Sequence, residues 1–284
     1  MNNKIEKLSD KYSAEKARFH KELSEFAQTL GQHITLKGNW AVKGFIDAFK
    51  NVYAIPSDTI FISKILELTV FPFLLDFAHR IGYTIESAAH QNLYPDFTFV
   101  NNENSEIKFA VDLKTSPISE KRNTRCAGFM LGLHGEYYTD RDSNKNIQYP
   151  YNKYVAHFCL GIIYSSITLP AEIGAKKYSI EDFAKIPSVI NRFIFFAVEK
   201  WRIASDKCST KNCYYIASIK KIKDIIAGNG AFAKAGEEIF DDYWANYGKI
   251  QVETEDGRQR PMDTIDKYIK YKGLSIDIKN KNYF

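Results

Sequence analysis

The chain has 284 residues, 45% of them hydrophobic and 26% charged, with a formal net charge of +5. That describes one α/β core by default and gives only a mild preference for polyanions. Four cysteines, Cys126, Cys159, Cys208 and Cys213, show neither C-x-x-C spacing nor a histidine cluster, which argues against a zinc site and fits free thiols in a reducing cytoplasm.

In chain order, Leu8, Tyr12, Phe19, Leu23, Phe26 and Leu30 predict an N-terminal helix over about 5–30 with one apolar stripe, free to dock on the core or on a second subunit. The N-terminus lacks the apolar core of a secretion signal, so secretion is not expected. Two short strands are predicted between Trp40 and Ile55. A helix follows the cap-like Ser57 and Asp58, with Ile62, Ile65, Leu66 and Phe73 on its apolar side, Glu67 on its length and Pro72 as a kink site. A strand near Tyr83 to Glu86 leads into a hairpin over 95–115. The apolar stretch from Tyr154 to Ile167 reads as a buried helix, because His157 and several hydroxyls exclude a membrane span. Phe193 to Ile203 reads as a buried strand, Ile216 to Ile219 as another, and Asp224 to Ala227 and Glu237 to Tyr247 as helices. No repeat or linker divides these pieces, so 1–248 is expected to be a single domain. The polar extension over 249–284 contains Asp263 to Lys272, readable as a basic helix or as a loosely ordered tail.

The chemistry concentrates in PDFTFVNNENSEIKFAVDLK, from Pro95 to Lys114. Phe109, Val111 and Leu113 alternate with Ala110, Asp112 and Lys114, so a period of two puts the aspartate and the lysine on one face. The polar turn NNENSE folds two strands together and brings Asp96 beside Asp112. Two close carboxylates repel unless a cation intervenes. Mg²⁺, an oxygen-seeking ion commonly held by one or two carboxylates plus water and phosphate, fits such a pair, and Lys114 suits a role beside it in phosphodiester hydrolysis. A surface hairpin with a solvated Asp112 to Lys114 ion pair uses the same residues, and Glu67 by itself reads equally as an exposed helical glutamate. Other familiar chemistries lack their motifs: there is no G-x-x-x-x-G-K, H-E-x-x-H or G-x-S-x-G.

The surrounding text is more specific. PSDT at Pro56, LEL at Leu66, GYTIE at Gly82, QNLYPDFTF at Gln91, VDLKT at Val111, KNIQYPYNKYVAH at Lys145, EKWRIASD at Glu199 and YWANY at Tyr243 resemble the EcoRV branch of the PD-D/E-x-K nuclease superfamily. The likeness runs from near Trp40 to Gly248. It implies a restriction-endonuclease-like α/β fold, a mixed β-sheet flanked by helices, with the N-terminal helix added. Asp96 and Asp112 match the metal-binding aspartates, with the carbonyl of Leu113 directed to the same region. Lys114 matches the catalytic lysine, and Glu67 matches the auxiliary acid, which is expected among the metal-holding residues as well as the catalytic ones. Gln91 and Asn92 match residues that approach the minor groove, where side-chain amides can bond base edges. The loop over 208–213 matches the major-groove reader. There, Ser209 and Lys211 stand where the family has glycines, Asn212 is retained, Cys213 replaces a threonine, and Thr210 lies between, so a different target sequence is expected, unless the loop is simply polar. Lys145, Lys220, Lys221 and Lys223 are phosphate-contact candidates or solvated charges.

The resemblance therefore implies a cytoplasmic, Mg²⁺-dependent type II restriction endonuclease. It would act as a homodimer on double-stranded DNA at a palindromic site, leave 5′-phosphates and blunt ends, and share its system with a DNA methyltransferase, with no membrane partner. A structure-selective repair or junction nuclease of the same superfamily and a non-catalytic DNA-binding protein are the alternatives.

Overall fold

The computed structural model describes residues 7–90, 93–134, 136–170, 176–209, 214–253 and 257–276. Helix α1 (Ser13–Ile34) buries Phe19, Leu23, Phe26, Ala27, Leu30 and Ile34, the single stripe that its spacing predicts. Helix α2 (Thr59–Ile81) starts where the Asp58 carboxylate accepts from the amides of Ile60 and Phe61 at 2.9 and 3.0 Å. It stops at Gly82, whose φ of 83° suits a residue without a Cβ. Pro72 sits inside α2 without ending it.

The principal strands are β1 (Tyr83–Ser87), β2 (Phe97–Asn101), β3 (Lys108–Ser119), β4 (Met130–Leu133), β5 (Ala156–Ser166), β6 (Ile190–Glu199), β7 (Ala204–Cys208) and β8 (Tyr215–Ser218). The main sheet runs β6, β5, β3, β2, β1, with a short hairpin at Thr35–Leu36 and Asn39–Trp40 beyond β6. Its β5 and β3 are parallel and the other pairs antiparallel, so the sheet is mixed, as expected. A smaller sheet joins β7, β8 and β4.

Both faces of the main sheet are covered. One core packs α1 and α2 on Phe97, Phe99, Phe109, Val111, Phe158, Leu160 and Ile162. The other packs the C-terminal half on Ala110, Cys159, Ile163, Phe196 and Val198. This burial corrects the predicted helix between Tyr154 and Ile167, which is strand β5. A central strand buried on both sides is a continuous apolar run, and helical periodicity is easily read into it. The run from Phe193 to Ile203 is a strand only to Glu199, after which Lys200–Ile203 forms one helical turn.

Gly161 illustrates how tightly these layers meet: it pairs with Phe196 in register, and a Cβ there would lie 2.0 Å from the ring. Gly161→Ala is expected to destabilise the chain by about 1–3 kcal/mol, measured by urea denaturation.

Among the described residues after Gly248, 249–253 and 257–276, a hairpin and a helix form, so Asp263 to Lys272 takes the helical one of the two readings. Helix α3 (Glu237–Asn246) is followed by a two-stranded hairpin and by helix α4 (Ile265–Lys272), whose cap Thr264 accepts from the Lys267 amide at 3.3 Å. Val252, Met262, Ile265 and Tyr268 enter the second core. Cys126 and Cys159 are buried free thiols, but Cys208 is disulfide-bonded, contrary to the expectation that all four cysteines are free. No helix among the described residues is long and apolar enough to cross a membrane.

Candidate active site

The β2 and β3 register pairs Phe97 with Val111, which places Asp96, one step earlier, across from Asp112. The two aspartates interlock through the backbone. The Asp96 amide donates to Asp112 Oδ1 at 3.1 Å, and the Leu113 amide donates to Asp96 Oδ2 at 2.9 Å. Lys114 Nζ lies 3.1 Å from Asp112 Oδ2 and 3.9 Å from Asp96 Oδ2. The Asp112 side chain is 5% exposed and that of Lys114 24%, so their ion pair is not the solvated surface pair that the same residues permit.

Burial and the Asp112 charge push the Asp96 carboxyl up to about 6, against the opposing pull of Lys114 and with a further push from Glu67. Burial works against the charge on Lys114, but the Asp112 and Asp96 carboxylates outweigh it and hold the ammonium above the ordinary lysine value. Two carboxylates are thus held together around one ammonium, with the more exposed acid poorly satisfied.

Asp96 lies between two cavities. One, of about 570 Å³, is lined by Tyr94, Asp96, Asp112, Lys114, Tyr137 and Tyr215 among others. The second, of about 820 Å³, contains Lys64, Glu67, His90 and Asp96 in its walls. Glu67 therefore faces the same region from α2, although its carboxylate is paired with Lys64 Nζ at 2.8 Å. Among the described residues no three His, Cys, Asp or Glu side chains gather closely enough to form a metal cage. A donor set of two carboxylates fits a hard cation that takes its remaining ligands from water and phosphate.

The other predicted contacts are more dispersed. Lys145 is exposed and paired with Glu136 at 2.6 Å, while its neighbour Asn146 lines the smaller cavity. The Ser209 amide donates to the Tyr215 carbonyl at 2.9 Å, which ties the start of the 208–213 loop to β8. Gln91, Asn92, Thr210, Lys211, Asn212 and Cys213 lie outside the described residues. Lys220 lines a third cleft with Lys121, Arg122 and Arg125, and Lys221 pairs with Asp224 at 3.3 Å.

Sequence reasoning missed the groups behind the acidic pair. Tyr94 Oη is 2.8 Å from His157 Nδ1 and 3.1 Å from Lys200 Nζ. A charged Glu199-Lys200 step inside an apolar run was the available signal.

An interlocked pair of strand aspartates sharing one lysine, on a mixed sheet covered on both faces, is the arrangement of a nuclease. A family model described as restriction endonuclease EcoRV matches residues 36–273. The type II restriction enzyme EcoRV of Escherichia coli is 35% identical over 207 residues, covering 72% of this chain and 82% of that protein. The chain belongs to the EcoRV restriction endonuclease family and is a site-specific deoxyribonuclease.

Proposed function

We propose that the protein is a Mg²⁺-dependent type II restriction endonuclease that cuts both strands of duplex DNA at a palindromic site. The observation that carries this reading is the Asp96, Asp112 and Lys114 arrangement, two carboxylates and an ammonium opening on a shared cavity. Asp96, Asp112 and the Leu113 carbonyl would hold Mg²⁺, with Glu67 as an auxiliary acid on the adjoining wall. When bound, the cation supplies Lewis acidity, lowering the pKa of water and neutralising phosphate charge.

Lys114 orients the attacking water and stabilises the charge that accumulates at phosphorus. In-line attack forms a bond from the water oxygen to phosphorus and breaks the bond to the 3′ oxygen; the attacking water gives up one proton to solvent and the departing 3′ oxygen takes one up from solvent. The products are a 5′-phosphate and a 3′-hydroxyl.

Sequence reading falls to Gln91 and Asn92 in the minor groove and to Ser209, Thr210, Lys211, Asn212 and Cys213 in the major groove. Asn212 suits adenine and Lys211 suits guanine. Lys145 would exchange its exposed partner Glu136 for a phosphate.

A homodimer is supported by large apolar side chains left exposed, Phe49, Ile60 and Leu68 at 84%, 78% and 64%, with Phe45, Ile46 and Phe61 also exposed. Two-fold symmetry presents identical loops to each half-site, which yields a palindromic target; blunt ends complete the reading. A cytoplasmic location and a cognate DNA methyltransferase that protects host copies of the site follow.

Digestion of a plasmid of known sequence with Mg²⁺ tests this directly. Discrete fragments are expected, and Asp112→Ala should leave the plasmid intact. A smear would favour a structure-selective nuclease, and binding without cutting by the unaltered protein would favour a non-catalytic DNA-binding protein.

A further inference from the structure

Beside the acidic pair stands a buried lysine with no carboxylate of its own. Lys200 is 2% exposed. Among the described residues its ammonium has one hydrogen bond, donated to Tyr94 Oη at 3.1 Å, and no carboxylate within the 4.0 Å of an ion pair. The rings of Tyr94, Tyr138 and Tyr151 surround it at 4.3, 5.8 and 5.8 Å. An ammonium in such a place costs stability, because aromatic faces and one hydroxyl replace only part of its hydration. Burial brings Lys200 down to about 8, and the strongest influence holding its proton in place is the charge of Asp112.

The geometry gives this charge a route to the site. An ammonium only donates, so Tyr94 Oη accepts from Lys200 and gives its own proton to His157 Nδ1, 2.8 Å away. His157 is kept neutral by burial and by the charge of Lys200, which leaves Nδ1 free to accept. The backbone of Tyr94 is also fixed: its amide donates to the Asn146 carbonyl at 3.0 Å, and its carbonyl accepts from the Gln148 amide at 2.7 Å. The Tyr94 ring lines the cavity that holds Asp96, Asp112 and Lys114, and Asp96 follows two residues later.

We propose that Lys200 is a positioning residue for cleavage, which through the Tyr94 hydroxyl fixes the segment bearing Asp96 and sets a buried positive charge behind Asp112. The inference rests on the nuclease reading above. It makes Lys200 a residue retained at the expense of stability, since a neutral chain of similar length would pack there without desolvating a charge.

The test compares Lys200→Met, Tyr94→Phe and the double variant in plasmid cleavage with Mg²⁺, alongside thermal unfolding. Lys200→Met is expected to lower kcat about 10- to 100-fold, the scale of a small misplacement of reacting groups. Its KM for DNA should be unchanged and its Tm equal to or above that of the unaltered chain. Tyr94→Phe should act in the same direction, and the double variant should be no worse than the worse single one, because both break one connection. Rates within about twofold of the unaltered chain for both single variants, or effects that multiply in the double variant, would overturn the proposal. If Lys200→Met does not fold, Tyr94→Phe alone decides, a normal kcat counting against it. Cleavage by the unaltered chain and its loss in Asp112→Ala check the nuclease reading separately, so either can fail without the other.

Discussion

Lys114→Ala is expected to lower the single-turnover cleavage rate about 10²- to 10³-fold, the loss seen when one preorganised donor to a developing oxyanion is removed. The ammonium sits 3.1 Å from Asp112 and 3.9 Å from Asp96, and it is the opposing charge that counters their mutual repulsion. Its removal therefore takes away the stabiliser of the transition state and leaves the acidic pair less tolerant of simultaneous ionisation. Raising pH or Mg²⁺ concentration should restore the second function and not the first. A rate that recovers fully at high Mg²⁺ would show that Lys114 serves only to hold the carboxylates. Lys114→Arg should not rescue, because a planar fork does not replace a compact cation on the same face of the strand.

Asp96→Asn should abolish cleavage and make the metal-free protein more stable at neutral pH. The sign follows from linkage. The folded-state value of Asp96, about 6, stands above the ordinary 3.8. The favourable contribution of this group to folding is thus fully present below the ordinary value and is lost as pH rises through about 6. Above that pH the ionised pair opposes folding. Asparagine keeps an oxygen for the Leu113 amide, 2.9 Å from Asp96 Oδ2, and removes the repulsion. In EDTA near neutral pH the variant should melt at or above the temperature of the unaltered chain. Adding Mg²⁺ should raise the Tm of the unaltered chain and not that of the variant. The difference in EDTA should shrink as the medium is acidified below the folded-state value. A variant that melts lower in EDTA at neutral pH would contradict the electrostatic reading of the site.

Much of the site was legible because a hairpin obeys local rules. The alternation around Asp112 and the polar turn before it were enough to bring Asp96 to Asp112, since strand register follows from the hydrophobic pattern. Helices α1 and α2 were equally legible from a single apolar stripe and from the Asp58 cap. Strand β5 was not, because burial on both faces erases the alternation that distinguishes a strand from a helix. The C-terminal segment was obscured for the opposite reason: Val252, Met262, Ile265 and Tyr268 are few and widely spaced among charges, yet each finds the second core. For Lys200 the charged step in an apolar run marks the residue, but its partners depend on tertiary context. Nothing near it in sequence predicts that Tyr94, more than a hundred residues away, accepts its hydrogen bond.

The most direct measurement of the central claim is anomalous scattering from crystals of the protein with duplex DNA and Mn²⁺ in place of Mg²⁺. A metal peak coordinated by carboxylate oxygens of both Asp96 and Asp112, beside the scissile phosphate, is expected. A DNA-bound crystal whose metal peak contacts neither aspartate would contradict it.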